Sequence, residues 1–472
     1  MIHEPLVLHA FFDGKSLHAT ARRATFVLQG LQELALQFEP RSERSERFTF
    51  QLLGRRGASR QPAHLVLAAR AAVIFIDEPF VEPHLGVMHR IISRGGGGAR
   101  SPPVVTVDAS CIVPARLVPR EQCNRAYAYR SATASQRRER ALAPWPVPVV
   151  ASTITSRPDC LNLPMSLFTD LTEEGLSIAA LVESLEHLDH AVPACNHTRG
   201  GASHALGRWK QYLARLSTYA KTRNDPLKHY SGGVSRMSAY LNLGMASPFT
   251  VMRDTVRRCQ SKSGGASKFL DELGVWRGIS YTWCFHNPRH RVSAKDALPA
   301  WAFRTLSEHA KDHGEPFAMG QLEHGQSGTE LWDICQRSLV LHGELHNNLR
   351  MTWGKEVLRW TSGPEMAYAY LLHLNDRFAL DGLSPCSITG LLWCLGWGDS
   401  PKGSDSVRIF GRVRPRSAAS ISRRYDLTKL DAMTRNGPVN ALKSASSHQT
   451  LFEAFSRSAR KANSNKKRKV AI

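Results

Sequence analysis

A chain of 472 residues is long enough for two or three domains with a sizeable core. Apolar content of 42% and charged content of 22% are ordinary for a folded globular protein, but the net charge of +22 is not; it points to a polyanionic partner, nucleic acid before an anionic membrane. The nine cysteines stand singly between Cys111 and Cys394 with no Cys-x-x-Cys, which argues for a reducing compartment and against a disulfide framework or a structural zinc site. No secretory leader is evident. The longest apolar runs, near Leu65–Ile76 and Leu391–Trp397, are too short or too polar to cross a bilayer.

Residues 1–135 read as an α/β domain. Leu6–Phe12 is a strand candidate, and Ala21–Phe38 carries a helical stripe of Phe26, Val27, Leu31, Leu34 and Leu36. Phe48–Leu53, Ala72–Asp77 and Val104–Val107 are short β-rich runs, so the alternation predicts a parallel sheet. The Gly95–Gly98 run lacks a downstream Gly-Lys-Ser/Thr and reads as a loop. Residues 136–204, with an Arg-rich patch, Pro144, Pro146 and Pro148 and a short helix around Ile178–Leu188, form an interdomain connector; His187 and His190 lie on a solvated face, with no third metal ligand in view. Residues 205–425 are helical throughout. Residues 426–472 are polar, basic and without a core pattern, and read as a disordered tail. Its Lys466, Lys467, Arg468 and Lys469 suit a nuclear import receptor or a nucleic-acid arm, and they place the protein in the nucleus, with cytoplasm or an organelle as the alternative.

Three constellations in the helical part can carry chemistry. Tyr219-Ala-Lys-Thr-Arg223-Asn-Asp225-Pro226 precedes Val234-Ser235-Arg236-Met237-Ser238-Ala-Tyr240, whose hydroxyls and backbone N–H groups at a helix start suit a diphosphate, although such starts are more often plain caps. In Phe269-Leu-Asp-Glu272-Leu-Gly-Val-Trp276-Arg277-Gly278, Glu272 and Trp276 lie four apart on one helix face. In Leu345-His-Asn-Asn-Leu-Arg350-Met-Thr-Trp353 the next tryptophan, Trp360, falls seven residues on, two turns along the same face, which also fits an ordinary core.

Together these motifs resemble the photolyase/cryptochrome family, closest to its class II cyclobutane pyrimidine dimer photolyases, over roughly Ala205 to Arg414. The resemblance implies an α/β antenna domain followed by an all-α FAD-binding domain. It assigns Tyr219, Ser235, Arg236, Met237 and Ser238 to the FAD phosphates, and Arg350, Asn375 and Asp376 to the flavin, with Arg350 and Asp376 as an ion pair. Glu272, Trp276, Asn347 and Trp393 become the lesion pocket; Trp332, Trp353 and Trp360 become an electron relay. The chain departs from the family in four places: Val234 replaces Thr, Ala239 replaces Pro, Gly278 replaces Glu, and Gly403 stands where a further pocket Trp is expected, for which Trp397 is the candidate substitute.

The implied activity is light-driven repair of pyrimidine dimers in DNA, a deoxyribodipyrimidine photo-lyase reaction in which reduced FAD passes an electron to a flipped-out dimer. The competing reading is a cryptochrome-type blue-light photoreceptor without repair. No metal, no membrane and a monomeric state are expected. Because Leu6 lies so near the first residue, the parallel sheet reads as truncated, which disfavours an antenna chromophore.

Overall fold

The computed structural model describes residues 7–16, 18–38, 48–55, 61–94, 102–143, 163–228, 234–259 and 264–435. The Gly95–Gly98 run, Pro144, Pro146, Pro148 and Lys466–Lys469 lie outside them, as do the side chains of Val234 and Ser235.

The N-terminal part is built from β1 (Leu8–Asp13), α1 (Ala21–Phe38), β2 (Phe48–Leu53), α2 (Ala63–Arg70), β3 (Ile74–Asp77), α3 (His84–Arg94) and β4 (Val104–Val107). Both strand pairs are parallel, as a helix between paired strands requires. Leu8 to Asp13 align with Phe48 to Leu53, and Ile74 to Asp77 with Val104 to Val107. Among the described residues these are two separate two-stranded ladders rather than one continuous sheet.

Helix α1 starts at Thr20, whose hydroxyl accepts the Arg23 N–H at 3.2 Å as an N-cap does. It buries Ala24, Phe26, Leu28 and Ala35. The predicted stripe is only partly right: Leu34 and Leu36 are 38% and 52% exposed. Leu28 and Ala35, seven apart, face the N-terminal core, while Phe26 turns to a second core around Trp209, Tyr240 and Phe269. One helix thus contributes to two cores.

The stretch read as the α/β domain ends with α4 (Ala126–Ala132), and the short helix of the connector is Ile178–Glu183, ending five residues before the expected Leu188. The helical half holds the largest core, which includes Trp332, Trp353, Leu371 and Leu391. Four of its helices have clear local causes. Glu330–His342 ends at Gly343 in the left-handed conformation, φ 64°. Asn347–Arg359 is capped by the His346 ring, and Pro364–Phe378 opens with proline in its first turn. Pro385–Cys394 is capped by Ser384, whose hydroxyl accepts the Ser387 N–H at 3.2 Å. The polar tail begins later than expected: Leu427–Arg435 is a helix against Glu330–His342, because Leu430 is buried and Arg337 pairs with Asp431.

Candidate functional site

A cavity of about 860 Å³ opens in the helical half. Tyr219, Ser238, Glu272, Trp276, Asn347, Arg350 and Trp393 all line it, so residues up to 174 positions apart in sequence meet in one place.

At the mouth, Gly264–Asp271 runs through a π-turn, Glu272–Trp276, into Arg277–His286. The expected α-helical face is therefore a wider turn, a feature frequent at functional sites. Glu272 is an ion-paired carboxylate: Arg223 Nη2 lies 2.6 Å and Lys268 Nζ 3.0 Å from its Oε1. Trp276 and Trp393 meet with ring centroids 4.8 Å apart at 49°. Trp397 does not line the cavity; it is buried behind Trp393, 5.9 Å away, and continues to Trp283 at 5.5 Å. It supports Trp393 but does not replace a pocket tryptophan. Nothing lies within 4 Å of a Cβ placed on Gly403. Gly278 has a different explanation, since a Cβ there would overlap the hydroxyl of buried Tyr129 from α4.

Deeper in, the predicted Arg350–Asp376 pair is not formed. Arg350 binds Asp381 through two parallel bonds, Nη1 and Nη2 each 3.0 Å from a carboxylate oxygen. Asp376, fully buried, pairs instead with Arg291 at 2.7 Å and accepts the Leu383 N–H at 2.9 Å. The reason is the turn after Pro364–Phe378. Leu383 sits at φ 59°, which folds the chain back so that Asp381 faces the cavity and Asp376 its rear. Burial opposes the charge on Asp376, but Arg291 and the hydrogen bonds outweigh it and hold the carboxyl below its usual range. Asn375 likewise does not line the cavity; its Nδ2 donates to Asp376 at 2.9 Å and to Ser387 at 2.5 Å.

The phosphate-side assignments divide. Ser238 lines the cavity and accepts from Asn242 Nδ2 at 3.1 Å. Arg236 is absent from the wall because its guanidinium binds Glu344 at 2.7 Å, a carboxylate that Arg208 also engages. Met237 is buried in the second core. Neither side chain reaches the cavity.

Trp353, Trp332 and Trp360 form a continuous chain in that spatial order. Trp332 lies parallel to Trp353 at 6.2 Å and edge-on to Trp360 at 5.1 Å. Trp360 then stacks on Phe317 at 5.3 Å.

Sequence reading missed Asp381, Lys355, Arg414, Arg416 and Arg424, all on the wall. Asp381 stands 31 residues from Arg350, a distance that carries no helical signal. Eight basic residues line the cavity against three acidic ones, so the wall suits an anion. Lys355 is buried, its ammonium donating to the Cys394 carbonyl at 2.9 Å, and burial lowers its pKa.

The cavity fits a flavin dinucleotide on three observations. It is large and partly apolar, with a bidentate Arg–carboxylate pair in its wall. Its basic side chains suit a diphosphate. Asn347 Oδ1, Arg350 Nε and Arg223 Nε are buried without a hydrogen-bond partner among the described residues, which leaves polar atoms for a bound group.

Among the described residues, an α/β part is joined to a helical half that holds a large basic cavity, an architecture suited to a ligand held among helices. No protein-family model matches the chain. A deoxyribodipyrimidine photo-lyase of Methanothermobacter thermautotrophicus is 28% identical over 427 residues, 90% of this chain and 86% of that protein. One of Oryza sativa is 31% identical over 270 residues, 54% of this chain and 50% of that protein. One of Potorous tridactylus is 29% identical over 246 residues, 52% and 45%. The chain thus spans about half the length of these last two. In fold it is similar to a Synechocystis cryptochrome, TM-score 0.62 at 16% identity over 91% of this chain and 82% of that one. A bacterial class III photolyase from Agrobacterium tumefaciens gives 0.59 at 14%, over 91% and 80%. These findings make the chain similar in sequence to enzymes named deoxyribodipyrimidine photo-lyase and similar in fold to a cryptochrome and a class III photolyase.

Proposed function

We propose that this protein repairs cyclobutane pyrimidine dimers in DNA with blue light, in the manner of the class II photolyases. The observation that carries the reading is one cavity with Glu272, Trp276 and Trp393 at its mouth and the Arg350–Asp381 pair in its wall.

FAD bound there, when reduced and lit, supplies an electron donor. The chain's own residues supply the rest. Trp276 and Trp393 offer an apolar, tilted pair of faces against which an extruded dimer packs, offsetting the cost of unstacking it. Glu272, ion-paired with Arg223 and Lys268, accepts a hydrogen bond from a base edge. Arg414 and Arg424 on the wall, and the +22 charge around it, attract the phosphate backbone.

The test is direct. Protein reconstituted with FAD and pre-reduced is lit with blue light in the presence of an oligonucleotide carrying a thymine dimer. Recovery of thymine absorbance, absent in the dark and reduced in Trp276→Ala, supports repair. No recovery with full FAD content sinks it. A photoreceptor without repair is the second reading, favoured by the open space at Gly403; it predicts flavin photochemistry without dimer splitting.

A further inference from the structure

We propose that Asp271 is a positioning residue for the lesion-pocket indole of Trp276, and that helix α4 holds it in place through Arg130. The inference rests on the repair reading of the pocket. It brings in Arg130, from the end of the stretch read as the α/β domain.

Trp276 is only half-buried, so packing alone does not select one orientation of its ring. Its Nε1–H donates to Asp271 Oδ2 at 3.2 Å. The two residues are five apart. In an α-helix five residues turn through about 500°, leaving the side chains ~140° apart around the axis. The π-turn over Glu272–Trp276, with its i→i+5 closure, brings them into line. The wider turn therefore creates the bond that orients the indole.

Asp271 is itself held from outside its helix. Arg130 places Nη2 2.8 Å and Nε 3.0 Å from Oδ1, while Lys268 Nζ lies 3.2 Å from Oδ2. Burial acts against the charge on Asp271, but Arg130 and Lys268 outweigh it and lower its pKa. Arg130 reaches Asp271 because α4 packs against the π-turn Glu272–Trp276. The adjacent Tyr129 occupies the space beside Gly278, where any side chain would overlap its hydroxyl. Gly278, the departure from the family pattern, thus gives α4 its seat. Helix α4 contacts both flanks of the π-turn, Asp271 before it and Gly278 after it.

The experiment uses the full FAD-loaded chain and compares Asp271→Ala, Asp271→Asn and Arg130→Ala with wild type. Three quantities are read: affinity for dimer-containing duplex, affinity for undamaged duplex, and the near-UV circular dichroism of Trp276, defined by subtracting Trp276→Phe. Asp271→Ala is expected to weaken dimer binding about tenfold, the scale of one lost base–indole contact. Undamaged DNA, FAD content and melting temperature should hold, and the Trp276 signal should collapse. Asp271→Asn keeps an acceptor for the indole and should restore most of both readouts, which a merely structural residue would not do. Arg130→Ala should fall between. An Asp271→Ala protein with wild-type dimer affinity and an unchanged Trp276 signal overturns the proposal. If wild type shows no preference for dimer DNA, the repair reading fails. The Trp276 signal then decides the positioning role by itself: retained in Asp271→Ala, it overturns this inference as well.

Discussion

At the scale of single residues, Arg350 and its partner give the sharpest contrast. The Arg350–Asp381 pair is bidentate and largely buried, with side-chain exposures of 13% and 7%. Removing one member of such a pair leaves an uncompensated charge and costs about 3–5 kcal/mol. Asp381→Ala should therefore release FAD and lower the melting temperature. Asp376→Ala should destabilise the fold through Arg291 while leaving Arg350 paired and FAD in place. Flavin absorbance after gel filtration distinguishes them; equal flavin loss in both would return Asp376 to the cavity. Sequence motifs placed Arg350, Glu272, Trp276 and Trp393 at one site, and they meet there. They misassigned the arginine's partner because Asp376 and Asp381 flank the same turn, and only the backbone at Leu383 decides which faces inward. The tryptophan chain gives a second test. Trp353→Phe retains ring packing but removes the indole and its bond to Gln336, 3.0 Å long. Photoreduction of the oxidised flavin should slow sharply at normal FAD content, as followed by flavin absorbance under blue light; an unchanged rate assigns Trp353 to the core alone.

At the scale of elements, the helix Asn347–Arg359 carries Asn347, Arg350, Met351 and Lys355 to the cavity, so its start controls the site. That start is capped by a histidine. His346 Nδ1 accepts the Asn348 N–H at 3.2 Å, which requires a ring unprotonated at that nitrogen. Burial, then Arg236 and Arg223, push the His346 pKa from 6.5 down to about 3. A folded-state value below the unfolded one means that the stabilisation is complete above pH 6.5 and is lost as pH falls toward 3. The slope from this group approaches about 1.4 kcal/mol per pH unit within that window. His346→Asn keeps a good cap and removes the titration. Denaturation between pH 7 and 4 should show a shallower acid loss in the variant than in wild type, and parallel profiles would count against the cap. Helices and strands were readable because periodicity reports one face at a time: α1, β2 and β4 fall where the pattern puts them. The π-turn was not, because the spacing of Glu272 and Trp276 reads equally well as a plain α-helix.

At the scale of the whole molecule, two features act together. One is charge: +22 spread over the chain and concentrated in the cavity wall was legible from composition, whereas its focus on Arg414, Arg416 and Arg424 needed the fold. The other is how the α/β part is fastened to the helical half, and nothing in the sequence pattern announced it. Arg22 on α1 is 2% exposed. Its guanidinium donates to Leu339 O at 2.8 Å, Phe378 O at 2.7 Å and Pro193 O at 3.1 Å, and also to Val340 O. Three of these carbonyls end the helices Glu330–His342 and Pro364–Phe378, where unsatisfied acceptors and the negative end of the helix dipole favour a cation. Arg23 adds bonds to Asp376 O at 2.9 Å and Ala379 O at 3.2 Å. One arginine pair therefore ties α1 to the two helices that precede Arg350 and Asp381. Arg22→Ala orphans several buried carbonyls at about 1–3 kcal/mol each before relaxation, so a loss of more than ~2 kcal/mol in chemical denaturation is expected. Arg22→Lys keeps the charge but gives up the planar fork, and should recover only part of it. Because the clamp couples the two halves, the alanine variant should unfold in two separated transitions, the flavin signal following the second. A single transition at the wild-type midpoint would show that apolar contacts alone join the halves.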